Sequence, residues 1–577
     1  MERPAKDYKT FLKKNKYTIP AISMICYLII AVGIAVITKN IMSEGKTVSI
    51  ATNAAEEAFY NRNYDTAIEE YTKLQEKDEW PIWSVKIAEI YSVKGEFVKS
   101  NDILAKAYEV RNKVVDSEKD KEKIEAKDRE LTNYIVFTYL MNGENKKALE
   151  YGELFLSNYP TDKDLLRTMF TVYMVNNEKD KASALVENYP REDETSSDLA
   201  SLARMNMLVD NWDDGFNLLK DAWYKDKNEV KVFDVIAQIT AYDKDRVLSK
   251  ISKLIKNYPD EVVYKLWMAK IYSMSEESVD QANEIIDSLK DENIDSVNLM
   301  LIKSNIYQNS GKTTEAENIL MQIINSQSDS FIGYHTAAWQ AYNDGKYDEA
   351  LNYCKESILK NKDYPDNYGF LIPEIMLKQG KTEEAEPYFR TALYKEPFNY
   401  NIIIKIAEYY WNTVQDTTKA LYYYDLASKI KPNDAEIYYN MALIKVNNQR
   451  LDEAIELINK SIKLDGESSK YYRTLGTIYL NQEKNDDAIK AIRNSYSINK
   501  NDILTLNNAG CYYIYIEGNV ERGMTNLKAA YDGINEKTDI KDKEIITDNY
   551  NKVKELYDEY NKNDGATLKV PDLKLFY

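Results

Sequence analysis

One histidine in 577 residues, His335, removes multi-histidine metal sites and leaves most catalytic triads dependent on a single side chain. Cysteine is nearly as scarce. Cys26, Cys354 and Cys511 have no close sequence partners, so no disulfide framework is expected, and the latter two read as small buried hydrophobes. Eighteen glycines and twelve prolines are few for this length, which leaves little of the chain for turn or linker. No H-E-x-x-H, paired C-x-x-C, G-x-S-x-G or calcium-loop pattern occurs. The triplet GKT stands at Gly45, Gly311 and Gly380, but a phosphate loop needs another glycine five residues earlier, where Asn40, Ile306 and Ile375 stand instead. Carboxylates are abundant without any pair being singled out. The chain therefore reads as a non-enzyme, with no cofactor and no metal.

Charge is unevenly spread. Lys16 and Lys39 bracket 22 uncharged residues, 17–38. As a helix these reach about 33 Å, enough for a hydrocarbon core of about 30 Å. No small-x-small cleavage site follows, which favours an uncleaved anchor over a signal peptide. Arg3, Lys6, Lys9, Lys13, Lys14 and Lys16 precede the span and only Lys39 and Lys46 closely follow it. That asymmetry predicts a cytoplasmic tail (1–16), a transmembrane anchor (17–38), a linker (39–50) and an extracytoplasmic remainder. Residues 1–48 carry net +5, so the rest carries −23 of the total −18. An acidic ectodomain does not suit nucleic acid and favours a protein or peptide partner of basic character. Abundant Lys, Asn, Ile and Tyr match a low-GC bacterial composition, which would place the ectodomain outside a Gram-positive plasma membrane.

What the sequence does contain is a period. Ala316, Ala350, Ala385, Ala420, Ala454 and Ala488 are spaced by 34, 35, 35, 34 and 34 residues. With each of these at position 20, position 8 is also small (Ser304, Ala338, Ala407, Ala442, Gly476), and a turn residue recurs near position 15 (Gly311, Gly345, Gly380, Gln449). Two small positions let paired helices approach closely, with larger residues filling the space around them. The stretches "AEIYYNMALIKVNNQRLDEAIELINKSIKLDG" and "NDGKYDEALNYCKESILK" resemble the tetratricopeptide repeat family. The likeness is well formed over 295–531 and divergent over 51–294, where "NAAEEAFYNRNYDTAIEEYTKL" keeps the spacing. It implies an all-α fold: a right-handed helix-pair solenoid of about 14 repeats behind one transmembrane helix. Between Ser100 and Ala148 the period gains about 14 residues. The surplus lies in a charged insert, 112–129, which reads either as an extension of two neighbouring helices or as a charged loop. Residues 538–562 read as a capping helix, and 563–577 as a tail with apolar Leu568, Val570, Leu573, Leu575, Phe576 and Tyr577 that either folds back into a groove or docks elsewhere.

In this family positions 2, 5, 9, 12 and 13 of each first helix face a concave groove. Carried over by position, the rule selects His335, Trp339, Tyr342 and Asn343 in repeat nine, Phe370 and Glu374 in repeat ten, and Asn401, Glu408, Trp411 and Asn412 in repeat eleven. It continues with Tyr439, Asn440, Asn447, Arg473, Thr477 and Asn481 in repeats twelve and thirteen, then Asn507, Asn508 and Tyr515 in repeat fourteen. Aromatics interleaved with amides suit an extended peptide, whose backbone needs polar partners while its side chains need pockets. The chain is thus expected to be a membrane-anchored interaction scaffold binding a protein or peptide. The alternatives are an accessory subunit positioning an envelope glycan- or peptide-processing enzyme, and a peptide- or polymer-binding protein without an assembly role.

Overall fold

The computed structural model describes residues 48–118, 121–192, 194–290, 292, 294, 296–562 and 569–577. The expected span 17–38 lies outside them, and among the described residues no helix is long and apolar enough to cross a membrane. No strand occurs in what is described. Helix pairs follow one another from Ala54–Tyr60 with Tyr64–Gln75 to Ile503–Tyr515 with Val520–Asp532, fourteen in all, and the helix Ile540–Lys562 comes after the last. The sixth pair is the run Lys231–Asn257, broken at Asp243 by a non-helical backbone.

Each pair is set by a turn and a small residue at fixed spacing. Among the described residues those with φ near +60 to +80° are six glycines and six others, and every one precedes a small residue by five positions. Gly345 leads Ala350, Gln449 leads Ala454 and Glu483 leads Ala488. This left-handed residue lets the next N–H return to the helix it has just left, as Lys312 N to the Tyr307 carbonyl at 2.8 Å and Arg450 N to that of Lys445 at 2.8 Å. The small residue then seats the second helix against the first. Ala350, Ala420, Ala454 and Ala488 are fully buried. At Gly476 a Cβ would stand 2.8 Å from Ile492, closer than real side chains approach, and a tight 3.2 Å from the Ala488 carbonyl.

The two 35-residue intervals have a physical cause. Wide π-type turns, Asn367–Leu371 and Tyr409–Val414, fall inside those intervals, each accommodating one extra residue without breaking its helix. The insert's residues 112–117 and 121–129 are likewise helical. They lengthen two neighbouring helices, Phe97–Ser117 and Lys121–Met141. Their base is latched where the Arg111 guanidinium forks onto buried Asp128, which also accepts from the Tyr159 hydroxyl.

The chain divides into two compact units, the described residues through Ile402 and Ile403–Tyr577. In the first, residues 383–399 lie along earlier repeats, about 230 to 320 positions upstream in the contacts that follow. Glu386 accepts from Arg62 and from the Tyr64 hydroxyl at 2.9 Å, Tyr394 stacks on Tyr134 at 3.9 Å and 9°, and Phe398 meets Phe170 edge-on. Arg390 reaches Ser92 and stands over the Phe137 ring. The first unit packs part of its own chain against those repeats.

Two substitutions check this register. Ala454→Leu forces methylenes into the buried contact with repeat twelve's first helix and should cost about 1–3 kcal/mol in urea unfolding of the second unit. Gln449→Gly relieves a left-handed backbone and should stabilise by up to about 1 kcal/mol, whereas Gln449→Val should destabilise.

Candidate peptide-binding groove

In the second unit a wall is made by the first helices Ser469–Asn481 and Ile503–Tyr515 together with Ile540–Lys562. Apolar residues hold these helices against their partners, for example Ile478, Ile514 and Val553. The polar side chains that face the wall are asparagines, threonine, tyrosine and one arginine. Asp502 caps the helix Ile503–Tyr515 by accepting from Leu504 N, and it pins Arg473 through a 2.6 Å ion pair that is nine-tenths buried on both sides.

Residues 569–577 run along this wall without helix, and their main chain is gripped almost atom by atom. Asn508 forms a two-point clamp on Phe576: its Oδ1 accepts from Phe576 N at 2.9 Å and its Nδ2 donates to the Phe576 carbonyl at 2.6 Å. Asn549 repeats the clamp two residues earlier, accepting from Lys574 N at 2.9 Å and donating to the Lys574 carbonyl at 2.7 Å. A spacing of two is the repeat of an extended chain, so the two carboxamides engage successive same-side peptide groups. Asn507 adds a bond to the Lys574 carbonyl at 3.0 Å and accepts from Asn549, which fixes both amides in orientation. Thr477 donates to the Phe576 carbonyl at 2.6 Å, and Arg473 to the main-chain oxygen of Tyr577 at 3.4 Å. The Tyr515 hydroxyl takes the Leu573 N–H, and Asn481 donates to the Tyr577 hydroxyl.

The side chains of the tail sort by face. Leu573 and Leu575 pack with Cys511, Ile514, Leu527 and Val553, and Phe576 with Leu506, Ala530 and Ile546, while Lys574 points to solvent. Asn507, Asn508 and Asn549 are fully buried beneath the tail. Burial pushes the Cys511 thiol up to about 12, so it stays protonated and acts as a weak donor towards the Lys574 carbonyl.

The residues chosen from sequence fall into three settings. Arg473, Thr477, Asn481, Asn507, Asn508 and Tyr515 touch the tail, as above. Also in the second unit, Tyr439 is buried against Tyr471, Asn440 and Trp411 are half-buried, and Glu408, Asn412 and Asn447 are exposed; Trp411 and Asn412 sit within the π-type turn. In the first unit His335 is enclosed. Its Nε2 accepts from the Trp339 indole at 3.1 Å, which leaves the proton on Nδ1 to reach Asn367 Oδ1 at 2.8 Å, and burial holds its pKa below the usual histidine range. Tyr342 packs edge-on against Trp339, Asn401 donates to the Gln238 carbonyl, and Phe370 and Glu374 are half-buried. Asn549 was missed because the positional rule stops at the last repeat. The signal was present: an asparagine inside the inward stripe Ile546, Asn549, Val553, Leu556 of an amphipathic helix.

Two open pockets stand out in the first unit. One of about 570 Å³ is lined by aromatics including Trp80, Trp83 and Tyr134; the other, about 750 Å³, is lined by charges that pair with one another, such as Arg167 with Asp198 and Lys395 with Asp363. At its margin burial would raise the Glu396 carboxyl, but Lys231 and Arg204 outweigh that and hold it at about 2. Asp366 goes the other way, to about 7, through burial and then the neighbouring Asp234.

Comparison with known sequences agrees with the helix-pair register. Residues 435–468 match the family model of the tetratricopeptide repeat. That segment is the twelfth helix pair, and the same turn-and-alanine spacing runs through the repeats beside it. Among curated proteins none matches the chain. Similar solved structures include the APC/C hetero-tetramer Cut9–Hcn1, at 12% identity and TM-score 0.37 over 86% of this chain and 95% of that one. Yeast Tom70 is similar at 17% identity and TM-score 0.35, covering 82% and 94%. The C-terminal part of a tetratricopeptide-repeat protein from Cytophaga hutchinsonii is similar at 16% identity and TM-score 0.33, covering 43% and 98%.

Two measurements probe these sites. Asn549→Ala should speed hydrogen exchange at the Lys574 amide about tenfold or more, the loss of roughly 1–3 kcal/mol for an orphaned buried group, with the helix around Val553 still protected. Asp366→Asn concerns pH. A carboxyl whose folded pKa is raised loses stability as pH climbs from its unfolded value towards about 7. The variant should therefore raise the thermal midpoint of the first unit most at pH 8, less at pH 5, and hardly at all near pH 4.

Proposed function

We propose that this chain is a protein-interaction scaffold, and that repeats thirteen and fourteen with the helix Ile540–Lys562 hold an extended segment of a partner protein. The observation that carries the reading is the pair of asparagine clamps on Lys574 and Phe576. Carboxamides that match both the donor and the acceptor of a peptide group recognise main chain irrespective of side chain, and their two-residue spacing fits only an extended one. The pockets around Ile514 and Ile546 then supply side-chain preference. A binding assay with extended synthetic peptides on the chain ending at residue 568 tests the reading. Binding in the micromolar range, weakened at least tenfold by Asn508→Ala, is the expected result. Absence of binding by every peptide carrying apolar residues at the tail's spacing would refute it.

The scaffold is proposed to sit outside a plasma membrane on the anchor 17–38, its basic residues 1–16 inside, with a partner of basic character matched to the net −23 of residues 49–577. Protease added to intact wall-stripped cells should digest the repeats and leave a small membrane-bound stub. A repeat region protected until lysis would reverse the topology.

A further inference from the structure

We infer that residues 570–577 are a built-in competitor for the groove, and that the partner is an extended peptide with the tail's own apolar–x–apolar–aromatic spacing, which binds by displacing it. This deepens the scaffold reading and rests on it.

Three observations converge. The bonds from Asn508, Asn549, Thr477 and Tyr515 all go to main-chain atoms of the tail, so nothing in them restricts the groove to this segment. Selectivity lies in side chains: Leu573 and Phe576 are 5% and 8% exposed, Leu575 is half-buried beside Leu573, and Lys574 between them is exposed. A partner must reproduce that order to fill the same pockets. Finally, Asn507, Asn508 and Asn549 have no exposed surface with the tail in place, so no second peptide reaches the clamps until the tail leaves.

Tethering makes the competition strong. A segment joined to its own site acts at an effective concentration on the order of 1 mM. A free peptide of equal intrinsic affinity must exceed that, and its apparent affinity falls by the fraction of molecules whose groove is open. The groove is thereby tuned against weak or mismatched segments and answers to one that binds better than 570–577 or is itself tethered nearby.

The experiment titrates a fluorescent synthetic peptide, KVPDLKLFY, into the full chain and into the full chain carrying Leu573→Asp with Phe576→Asp, which keeps the tail but spoils its pocket residues. The variant is expected to bind at least tenfold tighter than the unmodified chain. A peptide with serine in place of the leucine and phenylalanine equivalent to Leu573 and Phe576 should bind neither. Equal affinity in the two chains overturns the competitor role while leaving the groove reading intact; binding by neither overturns both. Should the variant lose its helical signal, the unmodified chain still decides. Saturating peptide must speed exchange of its own Lys574 and Phe576 amides, and unchanged protection overturns the inference. A concentration-dependent dimer of the unmodified chain, abolished by the double variant, would identify the occupant as the tail of a second copy and overturn the assignment of a foreign peptide.

Discussion

Everything here depends on the close approach of two helices at a small residue. A buried alanine at position 20, or glycine in its place, lets the second helix of each pair lie against the first at a distance that any larger side chain would prevent. The left-handed residue five positions earlier aims the chain into that contact. Six of the twelve such turns use a residue other than glycine, so the backbone accepts local strain at Arg62, Asn177, Asp210, Gln415, Gln449 and Glu483. Packing of the pair outweighs it, since turn strain costs on the order of 1–2 kcal/mol and each pair buries several large side chains.

A stack of such pairs presents rows of first-helix side chains, and those rows mix aromatics such as Tyr134 and Phe170 with buried amides and charges. Buried amides and charges need partners. The first unit supplies them from within: Glu396 lies between Arg204 and Lys231, Asn367 takes up His335, and residues 383–399 cover the faces of repeats one to five. The second unit supplies them with an extended segment. Main chain is the better partner for a row of asparagines, because each peptide group offers one donor and one acceptor at a fixed spacing that a carboxamide matches. In this groove the amides are satisfied by the main chain of Leu573–Phe576.

The helix-pair architecture was legible because a small residue every 34 or 35 positions marks one recurring close contact, and a helix pair with its turns is the unit of that length. The irregular intervals were legible as numbers but not as structure. One added residue could have lengthened a loop, and instead it widened a helical turn: Asn367–Leu371 leads on into the helix Ile372–Lys378, and Tyr409–Val414 closes the helix begun at Tyr400. The insert behaved similarly. Residues 112–129 were compatible with a loop or with longer helices, and buried Arg111 with Asp128 at the base couples the two helices that carry it.

For the site, position within a repeat marked which side chains face inward, and inward placement is local geometry that the period encodes. The sequence by itself determined the helix pairs and their register, and it singled out Asn507 and Asn508 by position while selecting Asn412 and Asn447, which are exposed, by the same rule. Tertiary structure alone decided what meets the residues so selected. Arg473, Asn508 and Tyr515 receive an extended segment, whereas His335 and Asn401 receive their own unit's side and main chain. It also brought Asn549, outside the period, beside Asn507 across 42 residues. The reason is physical: periodicity records contacts between neighbours in a stack, while the occupant of an inner wall is fixed by non-local packing between segments whose separation leaves no repeat in the sequence.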